Sequence, residues 1–167
     1  MVNLDIFKGV ETIGLVCIDS RRLSPVAAVL LRDMLLKSKK ETVRSIQVYH
    51  GGYERKGHDI SNRALSYLQR KGFTQSDQLR VERIDKIWVR SKDLILTMDK
   101  FIKRDVIYDF PMTDKDLKKS VFTLTEAAGV NERIRDPGED YSYEIDPVFD
   151  LIERCLKEIV KKLERVN

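Results

Sequence analysis

The stretch over residues 12–32, TIGLVCIDSRRLSPVAAVLLR, constrains this chain more than any other. Its apolar run, Ile13 to Ile18, has the length and content of a buried strand. A short loop over 19–23 follows. Ser24-Pro25 then opens a helix, because serine is a good N-cap and proline suits the first helical position. Strand, tight loop and helix N-terminus in succession make an anion cradle, with loop N–H groups and the helix dipole aimed at one spot. A cysteine at the lip of such a cradle, here Cys17, has its thiolate stabilised and becomes a nucleophile. The plainer reading of Cys17 is a small buried residue at a strand end.

The rest of the chain alternates in the same way. Strands are expected over 12–18, 43–49, 93–97 and 120–124, and helices over 25–36, 61–71, 101–107 and 146–163. His50-Gly51-Gly52 reads as a break after the second strand, 53–60 as a polar loop, and 79–89 as one or two short helices. Residues 125–146 read mostly as loop, with Asp136-Pro137-Gly138 in its middle. Asp146-Pro147 reads as cap and first turn of the last helix, whose buried stripe includes Phe149, Ile152, Cys155, Leu156 and Ile159. Strands apolar on both faces and separated by helices predict an α/β three-layer sandwich: one domain over 1–167, with a parallel four-stranded sheet and helices on both faces. In such sheets the ligand sits at the carboxyl ends of the strands, where Cys17, Asp99 and the loop after Leu124 fall. Asp99 itself is read as the N-cap of the helix that follows.

Composition excludes several functions. With 42% hydrophobic and 35% charged residues the chain has a core and a solvated surface, and no apolar run reaches membrane-spanning length. The net charge of +4 is spread along the chain, which argues against nucleic acid and is compatible with an anionic substrate. Two cysteines in unlike contexts, Cys17 and Cys155, do not form a disulfide framework, so a reducing cytoplasm is the expected compartment. Cys155 is read as core. His50 and His58 are read as a loop and a surface residue, and no metal-ligand spacing is present, so neither metal nor other cofactor is expected.

Several segments in order resemble the low-molecular-weight protein tyrosine phosphatases. Cys17, Ser24 and Pro25 match the spacing of that family's phosphate-binding loop. Ser61-Asn62-Arg63-Ala64 looks like its second-helix signature, Asp93 to Asp99 (DLILTMD) its third strand, and Val121 to Leu124 (VFTL) its fourth. Asp136-Pro137 matches the pair that carries its general acid. The resemblance implies a phosphate-binding loop of Ile18, Asp19, Ser20, Arg21, Arg22, Leu23 and Ser24, with Ser24 hydrogen-bonded to the thiolate. It implies catalysis by Cys17 as nucleophile and Asp136 as acid, flanking aromatics Tyr53 and Tyr141, and a phosphorylated protein or small aryl phosphate as substrate. On the residues alone, Asp136 is equally an ordinary Asp-Pro turn, and Tyr53 a loop anchor.

The departures cluster in the loop. The family's catalytic arginine falls on Leu23, which can neither donate nor carry charge. Asp19 adds a charge of the same sign as the phosphate. Arg21 and Arg22 come two and one positions early; they either swing over the pocket and compensate or, on the preferred reading, are two solvated loop arginines. Asp19 is also able to pair with one of them. The loop cysteine that serves redox protection in some members is Arg22 here. The sequence therefore supports first a weakened phosphatase and, as the alternative, a catalytically inactive homologue acting as a binding or regulatory module. Arsenate reduction on the same fold ranks last, for want of further thiols near the loop.

Overall fold

The computed structural model describes residues 2–54, 57–74, 79–111 and 120–167. Four strands, β1 (Thr12–Cys17), β2 (Gln47–Gly52), β3 (Leu94–Thr97) and β4 (Val121–Thr123), form one parallel sheet in the order β2-β1-β3-β4. Among the described residues there are seven α-helices: α1 (Leu23–Leu36), α2 (Glu41–Arg44), α3 (Asn62–Arg70), α4 (Lys86–Arg90), α5 (Lys100–Asp109), α6 (Leu124–Ala128) and α7 (Asp146–Val166). β1 and β3 are buried along almost their whole length, which is why they read as continuous apolar runs.

The chain steps from β1 to β2 on one side and then crosses back over β1 to β3. Right-handed crossovers place the two connections on opposite faces of the sheet. α1 packs on β2 and on α7, and α3 joins that layer through Tyr67, whose ring lies 4.7 Å from that of Phe149. On the other face Trp88 of α4 covers Gly14 and Gly51; a Cβ on Gly14 would come within 2.5 Å of the indole. The reversal in strand order falls between β1 and β3, so a crevice opens at their carboxyl ends, beside Cys17.

Five boundary readings change. Val43 belongs to α2, and β2 starts at Gln47. His50-Gly51-Gly52 continues β2: the glycines permit close approach, since a Cβ on Gly51 would meet Ile84 at 2.6 Å and one on Gly52 the Asp19 backbone at 2.6 Å. Residues 79–85 are not helical; Arg83 bridges to Gly52, and α4 alone forms in that region. α6 lies within the expected loop, started by a capping box of Thr123 with Glu126 and ended by Gly129 in the left-handed conformation. Asp146 does not cap α7. Ile145 holds that position, and the Asp146 carboxylate accepts from Arg70 Nη2 at 3.0 Å. Asp99 caps α5, accepting from the Phe101 and Ile102 amides. Of the loop expected over 53–60, residues 55 and 56 lie outside the described residues.

Candidate functional site

β1 delivers Cys17 to the start of the loop, and α1 delivers Ser24 to its end. Their side chains meet with Sγ and Oγ 3.0 Å apart, and the Ser20 amide donates to Sγ at 3.2 Å. Helix α1 starts two residues earlier than Ser24-Pro25 suggests. Arg22 holds the cap position without a side-chain capping bond, and the Ser24 hydroxyl turns to the thiol. Cys17 is 1% exposed. Burial pushes its thiol above the ordinary cysteine range; hydrogen bonds from Ser24 pull it down, and the charges of Asp19 and Asp136 push it up again.

The loop turns at Ser20, which has φ 61, the single positive-φ residue other than glycine among the described residues. Its hydroxyl accepts from the Glu82 amide at 3.2 Å and is hydrogen-bonded to His50 Nδ1 at 2.9 Å. Burial, with the Arg32 charge nearby, lowers the His50 pKa to about 4, so the imidazole is neutral at pH 7. His50 is thus a buried strand residue that supports the loop, not a loop residue.

Arg22 is the centre of the site. Its side chain is 6% exposed, and it donates from Nε to Asp136 Oδ1 at 3.1 Å, from Nη2 to Asp19 Oδ2 at 3.1 Å, and from Nη1 to Glu139 Oε1 at 2.8 Å. Arg21 reaches the same Glu139 oxygen at 3.0 Å and the Asp59 carbonyl at 2.8 Å. The reading of two solvated arginines is therefore wrong. A buried guanidinium needs carboxylate partners, and the loop around Asp136 supplies them. Asp136 also accepts from the Gly138 amide at 2.8 Å, so it forms the Asp-Pro turn and the ion pair together. Two guanidinium groups face three carboxylates beside the thiol.

Leu23 is 1% exposed and packs in the core, while Ile18 points outward. The Tyr53 amide donates to the Cys17 carbonyl, and its hydroxyl bonds the Asp109 carboxylate. Tyr141 is 67% exposed, lies under the Arg63 guanidinium, and touches Glu139 through its hydroxyl at 3.5 Å. The structure thus gathers Cys17, Asp19, Ser20, Arg21, Arg22, Ser24 and Asp136, leaves Leu23 behind them, and sets the two tyrosines at the margin. Sequence reasoning missed Glu139 and the role of His50. No local pattern marks either, since each acts on a loop residue far away in the chain. Among the described residues no group of His, Cys, Asp and Glu is arranged to hold a metal, and no helix is long and apolar enough to cross a membrane.

A parallel four-stranded sheet with a cysteine-to-serine loop at the end of β1 defines a phosphatase-type α/β fold. The sequence pattern of the low molecular weight phosphotyrosine protein phosphatases matches residues 12–167, and the chain belongs to that family. Among solved structures it is similar to the YwlE arginine phosphatase from Geobacillus stearothermophilus. The two share 24% identity over 93% of this chain and 94% of that one, with a TM-score of 0.75. The tyrosine phosphatase Wzb from Escherichia coli K30, solved with phosphate, is 19% identical over 92% of each chain, with a TM-score of 0.73. YfkJ from Bacillus subtilis is 16% identical over 94% of this chain and 96% of its own, with a TM-score of 0.78. At these identities the likeness is one of fold. A comparison with curated proteins finds no match.

Proposed function

We propose that this member of the family does not turn over phosphate monoesters and serves as a binding or regulatory module. The observation that carries this reading is the Arg22–Asp136 ion pair inside the site. Phosphoryl transfer needs a cation free to clamp the phosphate oxygens and an acid free to protonate the leaving group. Here the guanidinium nearest the loop and the candidate acid satisfy each other, with Asp19 and Glu139 completing the shell. Leu23, at the position of the family's arginine, lies in the core. Loss of one preorganised donor costs roughly 100- to 1000-fold in rate. The burial and acidic neighbours that raise the Cys17 pKa lower its thiolate fraction further. An excess of carboxylates over guanidinium groups also opposes a phosphate dianion.

One observation favours the second reading, a weakened phosphatase. Cys17 Sγ keeps two hydrogen-bond partners, Ser24 Oγ and the Ser20 amide, that suit a thiolate. In that reading Sγ attacks phosphorus of phosphotyrosine or a small aryl phosphate. The phenol leaves with a proton from Asp136, once Arg22 releases it, and water hydrolyses the phosphocysteine. Phosphoarginine, suggested by the name of the Geobacillus neighbour, belongs on the same substrate panel. A cytoplasmic setting goes with either reading, from two cysteines that are both free and buried.

The test is aryl phosphate hydrolysis by the wild type and Cys17→Ser. Equal, background rates support the module. Turnover that depends on Cys17 reverses the order of the two readings. Phosphate at millimolar levels is expected to shift thermal unfolding little.

A further inference from the structure

Phe101, the second residue of α5, is 45% exposed. Three cations converge on its ring: Lys100 Nζ at 5.3 Å, Arg104 Cζ at 5.6 Å and Arg133 Cζ at 5.7 Å from the centroid. They come from two segments, α5 and the stretch between α6 and Asp136. Arg104 shares Asp105 at 2.9 Å. Among the described residues Lys100 and Arg133 have no carboxylate partner. The attraction of an exposed cation to a ring is small, and like charges around one ring repel each other. The first turn of α5 holds no acid, so Lys100 also faces the positive end of the helix dipole, answered only by the cap residue Asp99. The same face continues around α5 into a shallow groove of about 490 Å³ lined by Lys103, Ile107, the exposed Tyr108 and Glu126.

The geometry points to this face, Lys100, Phe101, Arg104, Tyr108 and Arg133, as a docking surface for a short acidic segment of a partner protein. Carboxylates on the segment meet the cations, and an apolar side chain stacks on Phe101. Asp105 pairs with Arg104 and Glu126 with Lys103 within this face, so its unpaired basic area is short. A nucleic acid gains from a longer stripe of cations along its backbone. α5 begins just past the carboxyl end of β3, and Arg133 shortly precedes Asp136, so the face borders the candidate site. The inference rests on the binding-module reading for its purpose, though not for its geometry.

The experiment measures fluorescence anisotropy of a short labelled peptide of Glu, Gly and one Phe. Its controls are the analogue with Gln for Glu and a single-stranded DNA oligonucleotide of equal length. Expected is binding by the acidic peptide that weakens with salt and falls by at least about tenfold in Lys100→Glu/Arg133→Glu. Lys100→Glu places an acid at a helix start, so the variant folds, which its unfolding midpoint checks. Phe101→Ala is expected to weaken the Phe-containing peptide and not its Gly-substituted form. Equal binding by the Gln analogue, undiminished binding by the charge-reversed variant, tighter binding by the oligonucleotide, or no peptide binding at all would each overturn the docking surface. Cys17-dependent hydrolysis would overturn the non-hydrolytic reading alone.

Discussion

Arg22 and Asp136 are 114 residues apart in the chain and 3.1 Å apart in the fold, Nε to Oδ1. The pair ties the loop after β1 to the loop before α7, and it engages the carboxylate proposed above as the candidate acid. The predictions below test what that tie and its neighbours do.

Removing the guanidinium should be far worse than neutralising one partner. Arg22→Ala leaves Asp19 and Asp136 largely buried without their cation, and a broken buried pair costs about 3–5 kcal/mol. Asp136→Asn keeps the turn and a hydrogen-bond acceptor and should cost less. Urea unfolding of the two variants checks the order; an Arg22→Ala protein as stable as wild type would show that the network contributes nothing.

Restoring an arginine by Leu23→Arg should destabilise the fold rather than rescue catalysis. Leu23 packs in the core, and replacing it buries an unpaired charge on the side of α1 that faces the interior. A fall in the unfolding midpoint with no gain in aryl phosphate turnover is the expected outcome. A gain of about 100-fold would mean that the cradle lacked only its clamp.

Stability should fall on mild acidification because of His50. Its pKa is lowered from 6.5 to about 4 in the folded chain, so between those values the unfolded chain binds the proton and the folded chain does not. The contribution is complete above pH 6.5 and lost as pH falls toward 4, on the order of 3 kcal/mol in total. Denaturant midpoints at pH 7 and 5 should differ by less in His50→Gln, whose amide keeps a hydrogen-bond partner for Ser20.

Alkylation reports the state of the thiol. A nearly inaccessible Cys17 with a raised pKa should react with iodoacetamide at pH 7 at least about tenfold more slowly than free cysteine, and faster as pH rises. Cys155, pushed up to about 11 and buried in α7, should stay unreactive, so Cys17→Ser removes whatever labelling occurs. Rapid labelling of Cys17 at neutral pH would favour the hydrolytic reading.

The sequence alone determined the chain order of the sheet-forming segments and the helices α1, α3, α5 and α7, while the meeting of Cys17 with Ser24 came from the family resemblance. Each of these depends on residues close together in the chain: an apolar run, a helical spacing, a cap, a loop of fixed length. The capping box that starts α6 was equally local, and Thr123, Glu126 and Gly129 would have revealed it. Only the tertiary structure decided the fate of Arg22. Whether a loop arginine is solvated or buried depends on which distant carboxylates the topology brings to it, and Glu139 is 117 residues away. The same holds for His50, which looked like part of a glycine-rich break. β1 and the 82–84 segment pair with that stretch from either side and make it a strand, because backbone groups so placed must find partners. Local patterning therefore set the scaffold, and long-range pairing of charged and polar groups set the chemistry of the site.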